Sequence, residues 1–168
     1  MEIRQRFMEM RSLPENLYFK RGKQMTTMND RAWEEIEFFK KEEFNQPNKM
    51  EYHFINRLDQ FRKAIGKPII IHSSYREGDP RYHGRGEAVD IHIKGISLLC
   101  AYTLANESGL LGGIGVYPNW NNPGLHLDMR PERARWGCWS KKTPNIYVPL
   151  DTEFIKRIDN IGVNNESD

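Results

Sequence analysis

His83 and Asp90, in His83-Gly84-Arg85-Gly86-Glu87-Ala88-Val89-Asp90, and His126, in Gly124-Leu125-His126-Leu127-Asp128, are the residues of this chain best suited to chemistry. Two imidazoles and a carboxylate together suit a zinc ion whose fourth position stays open. An open position on zinc is where water becomes a nucleophile near neutral pH. If the three converge, the protein is a hydrolase. Singly, each has a blander reading: a histidine beside a turn is more often a surface residue, and an aspartate in a strand is more often a hydrogen-bond partner. The weight lies in their joint placement.

That placement depends on two strands. Ala88 to Ile93 alternates as Ala-Val-Asp-Ile-His-Ile, so Asp90 shares a face with Ala88 and His92 while Val89, Ile91 and Ile93 point to a core. Leu125 to Met129 predicts a second strand, with His126 and Asp128 on one face. Neighbouring strands would then present Asp90 and His126 on one polar side of a sheet. His83 sits in a loop where Gly84 and Gly86 permit a tight turn.

The other elements form the frame. Phe54, Ile55, Leu58, Phe61 and Ile65 make a helical stripe from about Lys49 to Ile65, with Gly66 as its stop. A helix capped by Asn29 or Asp30 is expected to carry Trp33, Ile36, Glu37 and Lys40 on successive turns. Pro68 to His72 reads as a buried strand, Ile96 to Asn106 as a helix, Ile114 to Tyr117 and Ala134 to Ser140 as strands, and Asp151 to Ile161 as a short amphipathic helix. Helices on one side of a small, mostly antiparallel sheet give an α+β domain over residues 29–161. Residues 1–28, rich in Met, Arg and Lys without apolar period, are expected to be a loosely ordered extension, and 162–168 a tail.

A chain of 168 residues suits one domain. The formal net charge of +2 argues against a nucleic-acid partner, and no apolar run is long enough for a membrane span. The first residues mix Arg4, Arg6 and Arg11 with Glu2 and Glu9, so no secretory signal is read and cytoplasmic synthesis is expected. Cys100 and Cys138 read as two reduced thiols, with a single disulfide as the alternative.

Longer motifs add a family resemblance. His83, Gly86, Ala88 and Asp90 spell His-x-x-Gly-x-Ala-x-Asp; Ser73-Ser74-Tyr75-Arg76 lies upstream; Gly112 to Pro118 and Leu125-His126-Leu127-Asp128-Met129-Arg130 follow in order. Over roughly Phe38 to Trp139 the chain resembles the zinc D-Ala-D-Ala carboxypeptidase family, within the lysostaphin, D-Ala-D-Ala peptidase and Hedgehog superfamily. The resemblance implies a Hedgehog/D-Ala-D-Ala peptidase-like fold, Zn2+ as cofactor, and His83, Asp90 and His126 as its ligands. It implies peptidoglycan stem peptides as substrate, cut by a carboxypeptidase or endopeptidase. Arg76 would bind a substrate carboxylate or peptide oxygen through its fork of donors, in competition with an ion pair to Glu77 or Asp79. Ser74 and Tyr75 would line the cleft or brace the loop, and His92 would contact substrate or donate a hydrogen bond behind the metal.

One position departs from the pattern. Several relatives carry an acid three residues before the last ligand, where this chain has Pro123. Asp128 is the nearest acid and has two readings: proton carrier for the reaction, or a carboxylate that orients His126 or His92. Glu87 is a weaker third candidate for the base. Tyr117 offers an oxyanion donor or simple packing. The departure also motivates an alternative function, a zinc-stabilised binding or structural module without turnover. Without a signal or a wall-binding module, the chain would suit a phage- or prophage-encoded lytic enzyme released to the cell wall by other means.

Overall fold

The computed structural model describes Gln5, residues 27–141, residues 145–159 and Ile161. Most of the expected N-terminal extension and the whole of the expected tail lie outside these residues. Six strands form one mixed sheet: β1 (Ile69–Ser73), β2 (Ala88–Ile93), β3 (Gly113–Tyr117), β4 (Gly124–Asp128), β5 (Ala134–Cys138) and β6 (Tyr147–Val148). Their spatial order is β1-β2-β4-β3-β5-β6. Every neighbouring pair is antiparallel except β3 and β5, which run parallel. The helices are α1 (Asp30–Trp33), α2 (Tyr52–Ile65), α3 (Leu98–Ser108) and α4 (Thr152–Ile158). The chain is an α+β domain of the expected kind, and among the described residues no helix is long and apolar enough to cross a membrane.

The core follows the alternation. Val89, Ile91, Ile114, Val116, Leu125 and Leu127 are fully buried on one face of the sheet, against Phe54, Leu58 and Phe61 of α2 and Ala101 and Ala105 of α3. The predicted stripe of α2 is buried throughout. The Glu51 carboxylate accepts from Phe54 N at 2.7 Å to open that helix, and Gly66 closes it in the left-handed region at φ 61°. Such a φ costs glycine little because it has no Cβ to clash.

The first helix is shorter than its periodicity suggested. α1 ends after one turn at Trp33, and the chain unwinds over residues that were expected to continue it. The reason is a competing acceptor: the Asp59 carboxylate of α2 receives the backbone N–H groups of Glu37, Phe38 and Phe39 at 3.2, 2.7 and 3.0 Å. Phe39 is thereby held in the core. Asp59→Ala strands these three donors and is expected to cost about 3 kcal/mol, seen as a lower urea midpoint with an unchanged slope; a loss under about 1 kcal/mol would show the loop to be held by apolar packing instead.

One boundary also moves. Met28 is buried in the core and donates its N–H to Met50 O at 2.9 Å, so the packed unit begins before Asn29. Strand β6 was not read from the sequence, since two residues carry too little alternation to detect. The cysteines are both free, Cys100 exposed and Cys138 buried.

Candidate metal centre and cleft

The opposite face of the sheet carries the polar residues. Asp90 and His126 are direct cross-strand partners of β2 and β4, flanked by the apolar pairs Val89–Leu127 and Ile91–Leu125. His83 reaches them from a short 3-10 turn, His83–Arg85, which Gly86 closes at φ 72°. A Cβ on Gly86 would collide with the backbone of Lys49, so the turn needs glycine there twice over. His83 Nε2 lies 3.3 Å from Asp90 Oδ1 and 3.2 Å from His126 Nδ1, and His126 Nδ1 lies 3.0 Å from Asp90 Oδ1.

The protons around this triangle are constrained from outside. His83 Nδ1 faces the backbone carbonyl of Ser74 at 2.6 Å, and a carbonyl only accepts, so Nδ1 carries the hydrogen. His126 Nε2 faces Asp128 Oδ2 at 3.0 Å and donates to it. In the neutral rings, His83 Nε2 and His126 Nδ1 are therefore bare lone pairs, and both point at an anionic oxygen. Three electron-rich atoms at 3.0–3.3 Å repel one another unless a cation sits among them. Ligands about 2.0–2.1 Å from a tetrahedral ion stand about 3.3 Å apart, so the donor set fits zinc in kind and in spacing. The outer partners hold each ring in its ligating tautomer.

Electrostatics carry the same message. Burial would raise the Asp90 carboxyl; where His126 or His83 carries a proton toward it, the hydrogen bond and charge outweigh burial and hold the group well below the usual carboxylate range. Burial would push the His126 imidazole down, yet Asp128 and Asp90 outweigh that and raise it. The space between the three side chains favours positive charge.

Asp128 is fully buried behind His126. Burial acts to raise its carboxyl, and the bonds from His126 and Arg130 draw it far down. Arg130 grips it through Nε and Nη2, at 2.9 and 2.6 Å, and adds its backbone N–H at 3.0 Å. The guanidinium lies over the rings of Tyr82 and Trp136, with 4.8 and 4.7 Å to their centroids. Gly113 makes this assembly possible, because a Cβ there would occupy the space of the Asp128 carboxylate and the Arg130 side chain.

A β-bulge brings in Arg76. Ile71 pairs with Ile91, but the next pair is Ser73 with Asp90, so His72 is the extra residue. The bulge returns the chain to the polar face. Arg76 then donates through Nε to Ser73 Oγ at 2.9 Å and through Nη2 to Asp90 Oδ2, the oxygen turned away from the two imidazoles. Its competitor partners Glu77 and Asp79 are not the ones it takes.

Ser74 is fully buried and bonded through its N–H and hydroxyl to Asn45, and its backbone carbonyl faces His83 Nδ1. Tyr75 packs against the apolar core. His92 stacks on His72, with ring centroids 4.8 Å apart, and it is His72 that reaches the cleft. Glu87 pairs with Arg85 at 3.2 Å. A cleft of about 630 Å³ opens over the triangle, and Arg76, Arg81, Arg130 and Lys141 contribute four cations to its lining against two acids, Asp79 and Asp90. Arg130 is a site residue that the motif alone does not single out, although the two-residue period of His126, Asp128 and Arg130 is a signal that assigns it to the polar face. Tyr82, Trp120 and Arg81 come from loops and carry no comparable signal.

A family model described as peptidoglycan L,D-endopeptidase MepK matches residues 6–136, starting well before Phe38, where the resemblance was first read. Among curated proteins, the peptidoglycan L,D-endopeptidase MepK of Escherichia coli strain K12 is 30% identical over 112 residues, covering 57% of this chain and 60% of that protein. The proteins of the same name from Escherichia coli O157:H7 and Shigella flexneri match to the same extent. This chain thus spans 60% of the length of the curated relatives it matches. No solved structure matches. Family model and motifs agree at the level of M15 peptidases: the chain belongs to the M15_2 peptidase family, the one described by peptidoglycan L,D-endopeptidase MepK.

Proposed function

We propose that this protein is a zinc peptidase that hydrolyses peptide bonds in peptidoglycan stem peptides, acting as an endopeptidase. The observation that carries this reading is the convergence of His83 Nε2, Asp90 Oδ1 and His126 Nδ1, three metal-type donor atoms 3.0–3.3 Å apart that a bound cation would hold together. The endopeptidase assignment draws on the relatives' names. Zinc in such a site supplies Lewis acidity, which makes a carbonyl electrophilic and water nucleophilic at neutral pH.

The chain's own residues do the rest. His83, Asp90 and His126 hold the ion, and Asp128 orients His126 rather than moving the reaction's proton, because its oxygens are already committed to His126 and Arg130. Arg76 braces Asp90 through Nη2 and keeps Nη1 for a peptide oxygen or carboxylate of the substrate. Arg81 and Lys141 give the cleft a positive lining suited to peptides with free carboxylates.

The test is zinc analysis of the purified protein together with mass spectrometry of peptidoglycan digested by it. Zinc near one per chain with newly cut cross-linked peptides supports the reading. Release of terminal D-Ala alone would make it a carboxypeptidase. Zinc without any hydrolysis would favour the binding module, a reading favoured by one observation: the acid nearest the triangle besides Asp90 is locked by Arg130.

A further inference from the structure

We propose that Tyr117 is a catalytic residue of this site, donating its phenolic hydrogen to the scissile carbonyl oxygen as negative charge develops there. The inference rests on the peptidase reading and goes beyond it in naming an oxyanion donor.

Position comes first. On β3 the Cα of Gly115 pairs with that of His126, and Tyr117, two residues along, pairs with Gly124. Strand alternation therefore places Tyr117 on the same face as His126. It lines the cleft together with Arg76, Asp90 and His126, although only 5% exposed.

The direction of its hydroxyl follows from Trp136. Trp136 Nε1 lies 3.1 Å from the Tyr117 oxygen. An indole nitrogen is a donor only, so the phenol is the acceptor in this bond. The phenolic hydrogen is not used by Trp136, and among the described residues it finds no acceptor. The ring plane is held as well: Trp120 stacks on Tyr117 with centroids 4.0 Å apart and planes within 13°. Trp136 owes its place to Gly115, where a Cβ would come within 2.6 Å of the indole. Two tryptophans and a glycine thus fix one hydroxyl at the wall of the cleft, with its hydrogen left over. A buried phenol kept in its neutral form suits that role, since it donates without ever having to ionise; burial does push Tyr117 up, against the opposing bond from Trp136. Arg76 cannot replace it in full, because one arm of its guanidinium is held by Asp90.

A donor set in advance toward developing charge is worth about 100-fold or more in turnover. Tyr117→Phe removes the hydrogen and keeps the ring. In the zinc-loaded enzyme kcat is expected to fall about 100-fold, with KM and zinc content within about twofold of wild type. Calorimetry with a phosphinic analogue of the cleaved peptide, whose tetrahedral oxygens mimic the oxyanion, should show a loss of affinity of about the same factor. Affinity for the cleaved product peptide should be unchanged. An unaltered kcat overturns the proposal, and so does an equal loss of affinity for analogue and product, which is the mark of packing alone. If wild-type enzyme binds zinc and cleaves nothing, the peptidase reading falls and takes this inference with it; if wild type is active and Tyr117→Phe matches it, only the inference falls.

Discussion

His126→Ala is expected to bring the zinc content from about one ion per chain to background and to abolish hydrolysis of peptidoglycan peptides. In the proposed site the imidazole supplies one of three ligands from the central strand β4, and a site left with two protein ligands no longer binds zinc as a catalytic site does. The same substitution has an informative effect on stability. A metal that binds only the folded chain stabilises it by about 4 kcal/mol at a thousandfold excess over its dissociation constant, so a chelator should lower the urea midpoint of the wild type markedly. It should leave His126→Ala unmoved. Without metal, the variant should be close to the stripped wild type, because removing His126 also removes one of the three lone pairs that oppose each other. Zinc retained at wild-type level by His126→Ala would show that the metal sits elsewhere.

Asp128→Asn separates the two roles open to that carboxylate. The amide can still accept from His126 Nε2, but it loses the negative charge that makes the imidazole a strong ligand and turns one polar group against Arg130. If Asp128 orients His126, zinc affinity should fall about 10- to 100-fold, while most of kcat returns at saturating zinc. A competition titration with a chromophoric chelator, run beside turnover at rising zinc, reads both quantities. If Asp128 instead moves the proton, zinc affinity would change little and kcat would stay low however much zinc is added. That second result would overturn the orienting role and return Asp128 to general base.

These experiments bear on residues that were legible in the chain to different degrees. That Asp90 and His126 each face the polar side could be anticipated from alternation, because the period of a strand is local and a buried neighbour on each side leaves the intervening side chain only the other face. The stripe of α2 and its Gly66 stop were legible for the same reason. The one-turn length of α1 was not, since a local helical period cannot report that Asp59, on another helix, takes the backbone donors of residues 37–39.

By itself, the sequence determined the fold class and the two polar strand faces, which rest on short-range periodicity, and it pointed to the three candidate ligands through residue type and a motif spacing that matches a family. Tertiary structure alone decided how close they come. The register of β2 on β4 makes Asp90 and His126 partners, the bulge at His72 aims Arg76 at Asp90, and the Ser74 carbonyl sets the tautomer of His83. It also decided that Asp128 lies behind His126 under Arg130, and that Gly113 and Gly115 are empty so that Arg130 and Trp136 can cross them. The β2–β4 register, the Arg76–Asp90 bond and the crossings over Gly113 and Gly115 join residues well apart in the chain, and no local pattern encodes a distance across the fold.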